Sequence, residues 1–150
     1  MLGHARDHHD SCVERVRWVG RSAVIDLRKT DAHPSVEKTT ADLVAVLCKN
    51  PDRIAVNMTQ VTFLWDTVLC ALIHLQGKSR KSGKNVPVSL FGLSRNARHF
   101  LGITRIGILF FIFETEEESL TATLDDACLA QTREAFALEL WLEGIGELRL

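Results

Sequence analysis

The sequence lacks an excess of charge of either sign, because its 18 basic residues stand against 19 acidic ones. A chain so close to neutrality has no net field with which to attract nucleic acid or anionic membrane, so we predict neither as a partner. It also lacks an apolar stretch long enough to span a membrane, and its polar, His-rich first residues lack the apolar core of a signal peptide. We therefore expect a soluble cytoplasmic protein.

Paired cysteines at metal-ligand or disulfide-framework spacing are also missing. The four cysteines are far apart in the sequence, and we expect them to be reduced thiols: Cys12, Cys48, Cys70 and Cys128. The first residues do carry donor types that bind zinc, namely His4, Asp7, His8, His9, Asp10 and Cys12. In a polar segment without periodicity such affinity is adventitious, so we expect no metal site and no cofactor.

What the sequence does contain is enough apolar content for one domain. Its 150 residues are 46% hydrophobic, which suffices to bury a core without disulfides or metals. We predict a disordered leader over residues 1–11, one folded domain over residues 12–120, and a helical extension over residues 121–150.

Strands and helices alternate along the predicted domain. A hairpin around Gly20 is followed by a helix that begins near Ser35 and by a strand over Arg53–Met58. A helix follows Thr67, and a strand is expected over Asn85–Phe91.

The second half of the domain continues the alternation. Ser94 caps a short helix through Leu101, Gly107–Phe113 is an apolar strand, and a helix runs from Glu116 to about Glu143. Strands joined by helices require crossover connections, so the pattern predicts the α/β class with a mixed sheet of four to five strands.

These residues resemble the STAS family, which is named for sulphate transporters and anti-sigma factor antagonists. The family has a strand of the type Val-Asp-Leu-Ser-x-Val, an apolar pair, Asp-Ser-Ser-Gly-Leu at the start of a helix, and a basic helix end with glycine. This chain has VNMTQV at Val56–Val61, the pair Phe63-Leu64, a helix that ends at Lys81-Ser82-Gly83, and a second half over Val86–Leu120 that follows the family order. The resemblance covers residues 22–120 and implies a STAS-like α/β domain.

The resemblance also implies a function and a site. In anti-sigma factor antagonists of this family, the first serine of Asp-Ser-Ser-Gly is phosphorylated by a kinase that is also the anti-sigma factor, and phosphorylation breaks the complex. An alignment without gaps places Trp65 on the family aspartate, Asp66 on the phosphorylated serine, Thr67 on the second serine and Val68 on the glycine. An alignment shifted by one residue makes Thr67 the acceptor instead. We expect these four residues to contact the partner, a serine/threonine kinase-like anti-sigma factor.

Asp66 has two interpretations that follow from its chemistry. An aspartate at a helix start accepts hydrogen bonds from free backbone N–H groups and complements the helix dipole, which adds about 1 kcal/mol. A carboxylate also carries about half the charge of a phosphate, so Asp66 can act as a permanent, weak imitation of the phosphorylated state.

Catalysis is the less favoured alternative. Cys70 and His74 lie four residues apart, a spacing that brings a thiol and an imidazole onto one helix face. Their apolar neighbours instead predict a buried, packing role for this helix. We therefore expect a binding module and not an enzyme, and the alternative within the family is a cytosolic subunit that regulates an ABC-type membrane transporter.

Overall fold

The computed structural model describes residues 11–29, 35–61, 66–81, 86–104 and 109–124, and shows strands that alternate with helices. The elements are, in chain order, β1 (Val13–Val19), β2 (Ser22–Leu27), α1 (Val36–Leu47), β3 (Arg53–Asn57), α2 (Asp66–Lys81), β4 (Val88–Phe91), α3 (Arg95–Thr104), β5 (Phe111–Phe113) and α4 (Glu116–Thr121). This is the predicted order of elements. The predicted leader up to residue 10 and most of the predicted C-terminal extension lie outside the described residues.

The strands form one mixed sheet in the order β1-β2-β3-β4-β5. β1 and β2 are antiparallel and meet at Gly20, whose φ of 62° lies in the left-handed region that favours glycine. The other neighbouring pairs are parallel. The expected α/β class with a mixed sheet is thus confirmed, and β2, β3, β4 and β5 all end at one edge, here called the carboxyl edge.

The two faces of the sheet bury different kinds of side chain. On the first face, β2, β3 and β4 present apolar side chains to α1, α2 and α3 in a single cluster that includes Ile25, Ile54, Val56, Leu90, Leu43, Leu72 and Leu101. The second face has a smaller cluster of Val24, Ala55 and Phe91. Phe113, from β5, and Leu120, from α4, pack against this cluster. The alternation of side chains along a strand separates these two clusters.

Two predicted helix starts are confirmed. The Ser35 hydroxyl accepts a hydrogen bond from the backbone N–H of Lys38 at 3.1 Å, and the Ser94 hydroxyl accepts one from Ala97 at 3.1 Å. Each serine thereby satisfies a backbone donor that has no partner within its helix.

Three predicted boundaries are wrong. The strand expected over Asn85–Phe91 begins at Val88, with residues 82–85 outside the described residues. The helix expected from Glu116 to about Glu143 ends at Thr121, and Ala122 is extended. Arg53 explains this end, because its Nη1 donates to the carbonyls of Ser119 and Ala122 at 3.1 and 2.9 Å.

The predicted strand Gly107–Phe113 is strand only over Phe111–Phe113, with residues 105–108 outside the described residues. The Leu109 carbonyl accepts a hydrogen bond from Gln76 Nε2 at 2.8 Å, which links the segment before β5 to α2.

Candidate functional site

The helix predicted after Thr67 begins one residue earlier, at Asp66, and the junction between β3 and this helix lies at the carboxyl edge of the sheet. β3 ends at Asn57, a turn follows over Met58–Val61, and α2 begins at Asp66. In open sheets with parallel strands, ligands bind outside this edge. The first turn of a 16-residue helix adds backbone N–H groups that have no acceptor within the helix, and the positive end of the helix dipole. The junction therefore combines the sheet edge at which ligands bind with the positive end of a helix dipole, where an added charge interacts strongly.

The four predicted site residues fall in different environments. Asp66 is the first residue of α2, Thr67 is half-buried, and Val68 is only 1% exposed. Trp65 lies outside the described residues. Val68 belongs to the same apolar cluster as Met58 and Val61. Val68 thus anchors the first turn of α2 in the same apolar core as the turn that follows β3.

Asn57 organises the turn before the junction. Its Oδ1 accepts hydrogen bonds from the backbone N–H and the hydroxyl of Thr59, at 3.0 and 2.7 Å. Its Nδ2 donates to Asp26 Oδ1 at 2.8 Å. Because a carboxylate only accepts, the bond to Asp26 fixes which end of the amide faces Thr59.

Gly92 closes the turn from the other side. Its φ is +72°, and a Cβ built on it would lie 2.3 Å from Cγ2 of Thr59. Such an approach is open only to glycine. The backbone N–H of Met58 also donates to the carbonyl of Phe91 at 2.9 Å, so the end of β4 supports the turn.

Asp26 forms the centre of a polar cluster on the second face, here called the Asp26 cluster: Arg15, Arg17, Asp26, Asn57 and Glu116. Arg17 binds the Asp26 carboxylate with two bonds, from Nε at 2.7 Å and from Nη2 at 2.9 Å. Arg15 Nε adds a third bond at 2.7 Å. Arg17 Nη2 also reaches Glu116 Oε1, at 2.7 Å, and so ties α4 to the sheet.

These contacts stabilise the ionised form of Asp26. The hydrogen bond from Arg17 is the largest cause that lowers the pKa of Asp26 well below its ordinary value, and the bonds from Arg15 and Asn57 act in the same direction against the effect of burial. The hydrogen bonds to Asp26 and Glu116 correspondingly raise the pKa of Arg17. Asp26 is therefore a buried and fully charged acceptor.

A β-bulge allows this arrangement. Val13 pairs with Leu27 and Arg15 pairs with Asp26, so one extra residue, Glu14, stands on β1. Without the bulge Val13 and Arg15 would share a face. With it, Val13 packs against the first-face core while Arg15 reaches Asp26 on the second face.

The sequence alone did not identify the Asp26 cluster. In the hairpin predicted around Gly20, Asp26 alternates with the apolar Ile25 and Leu27, which places it on the polar side of a strand, whereas it is 6% exposed. A signal was present in the arginines of the preceding strand, because Arg15 and Arg17 are spaced to share one face of a hairpin with an acid opposite. Recognising it requires the register of β1 with β2.

The predicted burial of Cys70 and His74 is wrong, because both side chains are exposed on α2. The helix buries the opposite side through Val68, Ala71 and Leu72, and the apolar run in the sequence hides this amphipathic division.

The other described cysteines are also unpaired thiols, buried at Cys12 and exposed at Cys48. Burial raises the pKa of the Cys12 thiol. Ser11, placed in the leader by the sequence, is buried. The zinc donors before Ser11 lie outside the described residues, and within the described ranges no three His, Cys, Asp or Glu side chains group to hold a metal. Nor does any described helix have the length and hydropathy to cross a bilayer.

Comparison with solved structures supports the fold. The NMR structure of the protein TM1081 matches with a TM-score of 0.60 at 14% identity, over 71% of this chain and 85% of that one. Moorella thermoacetica RsbS with a serine-to-glutamate substitution matches with a TM-score of 0.57 at 15% identity, over 70% of this chain and 91% of that one. No protein-family model and no curated protein matches the sequence. The chain has a STAS-like fold, as the resemblance predicted.

Proposed function

We propose that this chain is a partner-switching regulator of the anti-sigma factor antagonist type, acting in the bacterial cytoplasm. Its partner is a serine/threonine kinase-like anti-sigma factor, which contacts Trp65, Asp66 and Thr67, while Val68 anchors the helix from beneath. The observation that carries the proposal is the start of α2 at Asp66, at the carboxyl edge of a STAS-like sheet.

The structure supports this position by its physical chemistry. A charge at the start of α2 interacts with the positive end of the helix dipole, and the effect is confined to the first turn. Thr67 is half-buried, so it is neither fully withdrawn into the core nor fully exposed to solvent. The exposed face of the same helix, which includes Cys70, Ile73 and His74, continues from this turn and offers the partner further surface.

The chemistry of the switch follows from the alignment without gaps. In that alignment Asp66 supplies a fixed negative charge where the family has a removable phosphate, so the wild-type chain corresponds to a weak form of the released state. In the shifted alignment Thr67 accepts the phosphate, and the chain switches as the family does.

The Asp66→Ser variant tests the proposal. We expect it to bind the kinase-like anti-sigma factor about tenfold more tightly than the wild-type chain does, because a carboxylate that imitates phosphate is removed while a good capping residue remains. Binding is measured by calorimetry with the partner recovered by pull-down. Asp52→Ser is the matched control, since it removes an exposed carboxylate at the opposite edge of the sheet, and its affinity should equal that of the wild type.

Phosphorylation separates the two alignments. After incubation with the kinase and ATP, intact-mass measurement should show one phosphate on Asp66→Ser and none on the wild-type chain. A phosphate on Thr67 of the wild type would support the shifted alignment. Failure of both the wild type and Asp66→Ser to bind any kinase-like anti-sigma factor, or recovery of an ABC-type ATPase alone, would contradict the proposed function.

A further inference from the structure

The turn between β3 and α2 is joined to the Asp26 cluster by side-chain hydrogen bonds. Thr59, Asn57, Asp26, Arg17 and Glu116 form an unbroken series of hydrogen bonds. The donor-to-acceptor distances along it are 2.7 Å from Thr59 to Asn57, 2.8 Å from Asn57 to Asp26, 2.9 Å from Arg17 to Asp26 and 2.7 Å from Arg17 to Glu116. The series begins in the turn before α2 and ends on α4; the start of α2, at Asp66 and Thr67, is here called the candidate interface.

Asn57 is the one member of this series that bonds both to the turn and to the charged part of the cluster. Its carbonyl end holds two donors of Thr59, and its amino end is held by Asp26. Asp26 is in turn fixed by two arginines, so the acceptor for Asn57 cannot rotate away without breaking charge-assisted bonds. The hydrogen bond to Asp26 thereby fixes the orientation of the Asn57 amide.

The opposite side of the turn lies in close contact with the end of β4. Thr59 lies against Gly92, where even a single added carbon would meet its methyl group at 2.3 Å. Below the turn, Met58 and Val61 pack in the same cluster as Val68. The Met58–Val61 turn and the first turn of α2 therefore share one close-packed core, through which a displacement of the turn reaches α2.

We infer that Asn57 is a positioning residue for the partner interface: it holds the Met58–Val61 turn between the Asp26 cluster and Gly92, and so fixes the first turn of α2 in its binding geometry. This inference rests on the proposed function for the identity of the interface. The positioning itself is a property of the free chain and can be measured without a partner.

The test compares Asn57→Ala with Ser79→Ala in the full chain. Ser79 is buried near the other end of α2, and its hydroxyl donates to the carbonyl of Val86 at 2.7 Å. Its loss removes a buried side-chain hydrogen bond from the same helix without touching the turn. Urea unfolding of both variants shows that they remain folded and how much stability each has lost.

Amide hydrogen exchange distinguishes a local effect on the start of α2 from a general loss of stability. The amides of Cys70 and Ala71 donate to the first carbonyls of α2 by helix geometry. We expect Asn57→Ala to exchange about tenfold faster than the wild type at these two amides, whereas Ser79→Ala leaves them unchanged. Equal exchange in the two variants would overturn the inference.

Partner affinity provides the second readout. In the Asp66→Ser background, Asn57→Ala should weaken binding about tenfold and Ser79→Ala should not. If binding is strong but insensitive to Asn57→Ala, the positioning role is wrong and the proposed function stands. If no kinase-like anti-sigma factor binds either background while exchange changes as expected, the proposed function fails and the positioning of α2 by Asn57 stands as a property of the fold.

Discussion

The two faces of the sheet are stabilised by different physical means. On the first face, apolar side chains from three central strands and three helices fill a continuous core that excludes water. On the second face the buried apolar cluster is small, and Asp26 with its arginine and asparagine partners occupies the adjoining surface. The first face is stabilised by the burial of apolar side chains, an interaction that does not depend on direction. The second is stabilised by directional bonds, and these bonds reach the turn before the candidate interface.

Ile25 and Asp26 allow this comparison to be tested at adjacent residues, because they point to opposite faces of one strand. Ile25 is 0% exposed in the first-face core. We expect Ile25→Ala to lower the free energy of unfolding by about 4 kcal/mol, the sum of lost burial and the cavity that remains. Urea unfolding measures it at neutral and at acid pH. The loss should not depend on pH, since no charge is removed, and a strong pH dependence would contradict the apolar account of this face.

Asp26→Asn tests the second face and has the next largest effect. It leaves the side-chain shape but removes the charge that Arg15 and Arg17 face, so we expect a loss of about 3 kcal/mol at neutral pH. The folded-state pKa of Asp26 lies below its ordinary value of 3.8, so the carboxylate contributes its stability above that value and loses it as pH falls further.

The difference in unfolding free energy between the wild type and Asp26→Asn should therefore shrink below about pH 4. Urea titrations of the two proteins at several pH values measure it. A difference that stays constant down to the acid limit of folding would mean that shape, and not charge, holds the second face.

Arg15→Ala should lower the free energy of unfolding least, and it tests whether the members of the Asp26 cluster act separately or as one unit. The Arg15 side chain is 66% exposed, against 32% for Arg17, and it binds one carboxylate where Arg17 binds two. Solvent screening limits such an exposed pair to less than about 1 kcal/mol. Thermal unfolding measures it, with Arg21→Ala as control because Arg21 belongs to an exposed pair outside the cluster. A loss as large as that of Asp26→Asn would show that all members of the cluster act as one unit.

The elements of the first face were predictable from the sequence because they depend on local signals. Breakers and capping serines such as Ser35 and Ser94 set the helix starts, and Gly20 set the hairpin. β-branched runs set the central strands. These signals act within a few residues, and the structure follows them closely.

The second face was not predictable in the same way, because its contacts join residues far apart in the sequence. Arg17 and Glu116 are 99 residues apart, and Arg53 ends α4 from the start of β3. The exposure of Cys70 and His74 likewise depends on which side of α2 the rest of the fold covers. For the candidate site, the sequence predicted a helix start after Thr67, close to the observed start at Asp66, but not the support that Asn57 and Gly92 give to the turn before it.

The bulge at Glu14 has a consequence beyond the contacts of Arg15. Among the described strands, β1 stands at one end of the sheet with β2 as its single neighbour. A regular strand in that place is a template on which another molecule's strand can add, which is how many sheets aggregate. The extra residue interrupts the even spacing of β1 donors and acceptors, and the charged side chains of Glu14 and Arg15 stand beside the interruption. The residue that sends Arg15 to Asp26 thus also makes β1 a less regular template for the addition of another strand.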